Sequence, residues 1–441
     1  MPLTWLLAAS FALAGESPCF TPYCQTAPDP CGGNPVLSWD APEPSGAPDV
    51  LLRTFTPVEA AARIAALGGE VVGGIPQIGW LKVRGLPLDA VASFGDAQPN
   101  GTFRGAGLPT DAHFGDQWQL QNTGQPWPYD GSPGTPGADI NAPPAWDIEQ
   151  GDPAIVVAVL DSGVDYCHPE FAGRLLRGYD FVDDDDVASI IDCFGNHGLY
   201  VTGLLGAAID NANGQGVVGV APGITILPVR VWKNPGVPHP GQDFDLAEAL
   251  CWVADDPCVR VVNLSLAKYP WEGGGAVIED ALAYAAAAGK ILVAASGNND
   301  LPPPDGTGPG SADLSLLAAS PHTIAVGSLD HRNRRSPPSG TGASLDFVAH
   351  GDWAVTVSPK TPGGGYPTTP TAFAGTSAAA PQVSGLVALI LSRDPSLGPS
   401  RVYRLLKLSA DDEVHADDAP GWDPAYGWGR IDCAAALGMM P

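Results

Sequence analysis

From residue 153 onward, short apolar runs alternate with stretches of helical periodicity. Runs of buried-strand type fall at 154–160, 224–231, 259–266, 290–295, 323–326 and 345–349. Helical spacing between them predicts helices at 199–209, 246–254, 276–288 and 377–391, with 399–408 last. Alternation of this kind predicts an α/β fold, a mostly parallel sheet with helices on both faces. In such sheets ligands bind outside the carboxyl ends of the strands. No internal repeat or low-complexity tract competes with this pattern.

The chain before this region reads differently. Residues 48–104 form a small α+β unit, with a strand over 50–55 and a helix over 56–67 that Thr56 caps and Gly68-Gly69 stops. A hairpin follows at 70–84 and a short helix at 86–94. Residues 15–47, rich in Pro, Cys and small polar residues, read as a linker with no core of its own. Residues 1–14 are apolar and end in Ala12-Leu13-Ala14, the form of a secretory signal peptide that lacks a basic n-region beyond its amine. No stretch reaches the about 20 apolar residues of a membrane span, so no membrane partner is expected.

Composition narrows the function classes. At 441 residues with 44% hydrophobic and 16% charged residues, the chain is globular. A net charge of -27 argues against nucleic-acid binding, which needs clustered Lys and Arg, and suits hard cations such as calcium. Eight cysteines behind a signal-like segment suggest disulfides, and proximity in sequence favours Cys167–Cys193 and Cys251–Cys258.

Four places carry candidate chemistry, each modest alone. The run from 154 ends in Asp161-Ser162-Gly163, a carboxylate leaving a buried strand. His197, in Gly195-Asn196-His197-Gly198, opens a helix, where an imidazole suits proton abstraction. Asn298, in Ser296-Gly297-Asn298, ends another strand, where its amide is placed to donate to an oxyanion. In Gly375-Thr376-Ser377-Ala378-Ala379-Ala380-Pro381, a glycine turn delivers Ser377 to the mouth of a helix that is apolar almost all round. Taken singly, these are a turn aspartate, a structural histidine, a turn asparagine and a helix cap.

Their order and flanking sequences, however, strongly resemble the subtilisin-like serine proteases (subtilases) over residues 105–441. The motifs are Val157-Ala158-Val159-Leu160-Asp161-Ser162-Gly163, His197-Gly198, Val262-Asn263-Leu264-Ser265-Leu266, Ser296-Gly297-Asn298, Gly375-Thr376-Ser377 and Gly427-Trp428-Gly429. The resemblance implies a secreted endopeptidase in which Ser377 attacks the peptide, His197 is the base, Asp161 orients it and Asn298 lines the oxyanion hole. It implies a polypeptide substrate lying as a strand beside Ser265, Leu266 and Ala267. The unit at 48–104 is similar to the inhibitory propeptide of this family, which implies a self-processed, monomeric enzyme cut between about 105 and 116. The loop carrying Asp180, Asp183 and Asp185 resembles a calcium loop, and Glu170 with residues 210–214 is a second calcium candidate.

Two departures from the family pattern stand out. Leu199 and Tyr200 replace two polar residues after His197, and Ala267-Lys268 replace two glycines, so that Lys268 is expected to favour acidic substrate side chains. These departures motivate the alternative, a catalytically impaired subtilase-like extracellular binding protein.

Overall fold

The computed structural model describes residues 50–99 without 54–56, 76–79, 85 and 95, and residues 108–440 without 190–195, 212–213, 234–240, 299–313, 362–363, 413 and 416–417. The expected signal segment, the linker and Cys193 lie outside the described residues. The chain divides into two compact units, the smaller one spanning 38–107.

In the smaller unit β1 (Val50–Arg53), α1 (Pro57–Ala66), β2 (Glu70–Ile75), β3 (Trp80–Arg84), α2 (Leu88–Ala92) and β4 (Asp96–Pro99) follow one another. The strands pair antiparallel in the order β2-β3-β1-β4. This split β-α-β arrangement buries Leu52, Ile64, Val83 and Val91 between sheet and helices. The expected strand, helix, hairpin and second helix all form. Strand β4, Asp96-Ala97-Gln98-Pro99, has no apolar alternation and was not legible.

In the larger unit the elements are α3 (Ala142–Trp146), β5 (Val156–Asp161), β6 (Tyr179–Asp180), α4 (His197–Gly206), β7 (Thr225–Arg230), α5 (Asp243–Asp255), β8 (Val259–Leu264) and α6 (Ala276–Ala287). They continue as β9 (Ile291–Ala295), α7 (Leu316–Ala319), β10 (Thr323–Leu329), β11 (Phe347–His350), β12 (Ala354–Thr356), β13 (Thr371–Phe373), α8 (Thr376–Arg393), α9 (Pro399–Ser409) and α10 (Cys433–Gly438). Seven strands pair parallel in the order β11-β10-β9-β8-β5-β7-β6. All six expected strands are present; the seventh, β6, is two residues long and too short to show a period.

Two apolar cores cover the faces of this sheet. Val157 and Val159 of β5 face α4 and α8, whereas Val156, Ala158 and Leu160 face α5 and α6. Strand order reverses around β5, whose neighbours β7 and β8 leave on opposite sides. Ligand sites of α/β sheets open at such a crevice, and Asp161 sits there at the end of β5.

One expectation fails. Cys251 and Cys258 are both thiols. Cys251 rides on α5, and a turn held by the Cys258 N–H donating to Asp256 Oδ1 at 2.8 Å sends Cys258 into the buried start of β8. Nearness in sequence does not bring the two sulfurs together, because each leaves a different element.

His168 ties loops of the larger unit together. It is fully buried, its Nδ1 accepts from the Glu170 N–H at 3.2 Å, and Nε2 lies 3.2 Å from the Ser358 carbonyl, so the neutral ring donates from Nε2. Burial pushes its pKa down to about 4. An unfolded histidine takes up a proton near pH 6.5, whereas the folded one resists until about pH 4. Stability is therefore lost as pH falls from 6.5 to 4, by about 3 kcal/mol for this group. We expect the thermal midpoint of a His168→Gln variant to fall less steeply than that of the parent over this range. Parallel slopes in the two proteins would contradict the assignment.

Candidate active site

Helix α8 is the mount of the site. Its side chains from Ala378 to Leu391 are buried, so its position is set by packing on all sides. Gly375, its N-cap, has φ +118°, and a Cβ there would lie 3.0 Å from Asn298 Nδ2. Only glycine permits both that turn and that approach. The Thr376 N–H donates to Asn298 Oδ1 at 3.0 Å, and the Thr376 hydroxyl lies 3.2 Å from the same oxygen. With Oδ1 so held, the Nδ2 donors of Asn298 face away from Thr376. The Ser377 N–H, in the first turn of α8, is among the amides a helix cannot satisfy internally.

Pro381 lies inside α8 and has no N–H to give the Ser377 carbonyl four residues back. The Ser265 hydroxyl takes that place, donating to the Ser377 carbonyl at 2.9 Å. In return the Ser377 hydroxyl donates to the Ser265 carbonyl at 3.1 Å. Behind them Asn263 Nδ2 donates to Ser265 Oγ at 3.0 Å, and the Ser384 hydroxyl donates to Asn263 Oδ1 at 2.9 Å. The end of β8 is thereby fastened to the first three turns of α8. Asn263, Thr376 and Ser384 were not singled out from sequence. A buried asparagine inside the apolar run of β8 and a proline inside α8 were the signals available.

His197 begins α4, and its Nδ1 lies 2.8 and 3.0 Å from the two oxygens of Asp161. Carboxylate oxygens accept, so Nδ1 carries the proton and Nε2 is the basic nitrogen. Asp161 is buried, and the Ser162 N–H donates to its Oδ1 at 2.7 Å. Gly198 admits this contact: a Cβ there would meet the Gly163 carbonyl at 2.3 Å and Asp161 Oδ1 at 3.1 Å. Edge-on rings of Trp232 and Phe373, with centroids 5.4 and 5.1 Å away, wall the imidazole. No hydrogen bond joins His197 to Ser377 among the described residues; hydrogen bonds of this kind often tighten only when substrate is bound.

Of the departures from the family pattern, Leu199 turns into the core, whereas Tyr200 packs on the Phe373 ring that walls His197. Leu199 is fully buried in the core under α4, and Tyr200 lies 5.3 Å from the Phe373 ring. Lys268 is taken by Asp243 at 2.7 Å, so it is not a loose cation offered to acidic side chains. Ser265 is buried, while Leu266 and Ala267 reach the surface at the free edge beyond β8.

The acidic loop differs from the expected calcium cradle. Arg230, whose side chain is buried, pairs with Asp180 and lies 2.8 Å from Asp183, which also pairs with Lys233. Asp180 Oδ1 accepts from the Val182 and Asp183 N–H groups at 2.9 and 3.0 Å, and Asp185 Oδ1 from the Val187 N–H at 2.9 Å. These three carboxylates do not converge on a common point, and their charge is met largely by protein cations.

A model of the subtilase family matches residues 152–429. The chain belongs to the subtilase family. This subtilase is 32% identical over 342 residues to the thermophilic serine proteinase of Bacillus sp. (strain AK1), covering 77% of this chain and 72% of that one. It is 32% identical over 300 residues to thermitase of Thermoactinomyces vulgaris, covering 68% and 93%. The crystal structure of fervidolysin from Fervidobacterium pennivorans superposes with a TM-score of 0.57 at 23% identity, covering 90% of this chain and 62% of that one, which speaks for the fold. The protein is accordingly a serine-type endopeptidase acting on polypeptides. Among the described residues no helix of this subtilase is long and apolar enough to cross a membrane.

The closeness of Gly198 to Asp161 can be checked directly. In a Gly198→Ala variant we expect kcat/KM to fall about a hundredfold and the downfield proton resonance of His197 Nδ1 to disappear. An unchanged resonance would show that the turn tolerates a methyl group.

Proposed function

We propose that this subtilase is a secreted, self-processed endopeptidase whose nucleophile is Ser377. The observation that supports this most is the joint placement of His197 on Asp161 and of Asn298 on Thr376, beside the serine at the mouth of α8. Ser377 Oγ leaves the Ser265 carbonyl, gives its proton to His197 Nε2 and attacks the substrate carbonyl. The Asn298 amide and the Ser377 N–H receive the developing oxyanion, and Asp161 stabilises the imidazolium. His197 then protonates the departing amine, and water repeats the cycle on the acyl-enzyme. The substrate chain lies along Ser265, Leu266 and Ala267 as an added strand.

Maturation is proposed to cut just before Thr110, near the middle of the expected 105–116 window. From Thr110 the backbone is engaged in the larger unit: the Thr110 N–H and hydroxyl donate to Asp210 Oδ1 at 2.6 and 2.8 Å, and the His113 N–H to the Gly216 carbonyl at 2.7 Å. A Ser377→Ala variant should accumulate as the uncut precursor, with the 48–104 unit attached. If it is secreted already trimmed, self-processing is wrong.

A second reading, an impaired subtilase-like binding protein, draws on the Ser377 hydroxyl resting on a carbonyl and not on His197. A serine-directed phosphonate separates the two readings. Labelling of the folded, processed protein, lost in Ser377→Ala, supports the endopeptidase, and absence of labelling supports the binder.

For a structural calcium we favour the second candidate over Asp180, Asp183 and Asp185. Asp111 Oδ1 and Asn211 Oδ1 are buried without a partner. They belong to residues lining a cavity of about 820 Å³, together with Asp210, Gly214 and Gln215. Burial pushes the Asp111 and Glu170 carboxyls up, a cost that a cation would relieve. Asp111, added to Glu170, Asp210, Asn211 and Gly214 of that candidate, would hold the ion, which would supply structural charge alone. Chelation should then lower the thermal midpoint by roughly 5–10 °C, and calcium should restore it. In Asp111→Asn the chelator effect should shrink; a full effect in that variant would place the ion elsewhere.

A further inference from the structure

An oxyanion donor has to be held where charge develops, and Asn298 is held from two directions. Its side chain is fixed by Thr376, as described above. Its main chain is gripped by one phenol: the Asn298 N–H donates to Tyr269 Oη at 2.8 Å, and Tyr269 Oη donates to the Asn298 carbonyl at 3.0 Å. A single hydroxyl thus serves the donor and the acceptor of the same residue.

Tyr269 is itself well anchored. It is buried, at 6% exposure, and its backbone N–H donates to Glu272 Oε2 at 2.6 Å, closing a capping box on the one-turn 3-10 helix Pro270–Glu272. It follows directly on the edge Ser265-Leu266-Ala267 beside which substrate is proposed to lie. One step back, the Lys268 carbonyl accepts from the Leu316 N–H at 2.7 Å. The substrate edge and the oxyanion donor are therefore joined by a short, hydrogen-bonded strut. Neither a local turn nor the sheet requires a phenol at this place, since β8 has ended at Leu264 and β9 at Ala295. The main chain of Asn298 uses the hydroxyl on both its N–H and its carbonyl.

We propose that Tyr269 is a positioning residue for catalysis, acting through Asn298 and holding its amide in line as substrate loads the adjoining edge. The inference rests on the reading of Asn298 as the oxyanion donor. Without the phenol, the Asn298 main chain loses both bonds, and the amide swings about its Thr376 anchor. The loss falls on the transition state, where the donor counts, and not on substrate binding.

The test is a double-mutant cycle on the processed enzyme with a chromogenic peptide substrate. Tyr269→Phe should lower kcat about ten- to a hundredfold with KM changed less than about twofold. In an Asn298→Ala background the same substitution should have almost no further effect on kcat. An equal loss in both backgrounds, or a loss confined to KM, would overturn the positioning role while leaving Asn298 as donor. An unchanged kcat in Asn298→Ala alone would instead remove the reading on which the inference rests. Should Tyr269→Phe not fold, 3,5-difluorotyrosine at position 269 keeps the ring and acidifies the hydroxyl. Its kcat should then fall with rising pH as the phenol ionises and ceases to donate to Asn298, whereas the parent's should not. Matching pH profiles would overturn the proposal.

Discussion

A proline placed inside a buried helix governs the site. Pro381 leaves the Ser377 carbonyl without its helical partner, and in a dry interior such an acceptor costs free energy comparable to a lost hydrogen bond. The Ser265 hydroxyl meets that demand, and Asn263 and Ser384 hold Ser265 in turn. The end of β8 therefore cannot drift relative to α8 without uncovering several buried polar groups at once. A defect in one helix is converted into the fastening between Ser377, the proposed nucleophile, and the edge proposed to receive substrate.

The other parts of the site are fixed from the sheet. Asp161 ends β5 at the point where strand order reverses, and Asn298 follows the end of β9. One of the two apolar cores packs α4 and α8 against the same face, so His197 and Ser377 arrive at the same edge from helix starts. The groups that perform chemistry thus sit at the ends of elements whose middles are buried. Loops carry little of the positioning burden, and where they do, as at Tyr269, a specific hydrogen bond takes the place of packing.

Much of this was legible in the sequence, for identifiable physical reasons. Strands buried on both faces read as unbroken apolar runs, so all six were placed; β6 and β4 were missed because two residues, or four with alanine and proline as the apolar positions, carry no strand signal. Asp161, His197, Asn298 and Ser377 are each a modest signal at the end of a periodic segment, and stood out through their order and flanking motifs. At the acidic loop, sequence shows the carboxylates of Asp180 and Asp183 but not that Arg230, fifty residues after Asp180, folds back between them. The pairing of Lys268 with Asp243 was hidden in the same way. Charge partners distant along the chain are a product of topology, and periodicity holds no trace of them. The Cys251–Cys258 expectation failed because sequence distance says nothing about which way two side chains leave their elements.

The bond pair between Ser265 and Ser377 also bears on how a chain of this kind diverges. If Ser377 is the nucleophile we propose, a backbone edge locked to it is a ruler with one graduation: the reacting bond of a polypeptide laid along it would come to rest opposite the same hydroxyl. Substitutions that alter the ruler spoil every substrate alike, so inherited variation in preference is channelled into side chains bordering it. Trp232 and Phe373, whose rings flank His197, are side chains that lie outside the Ser265–Ser377 bond pair.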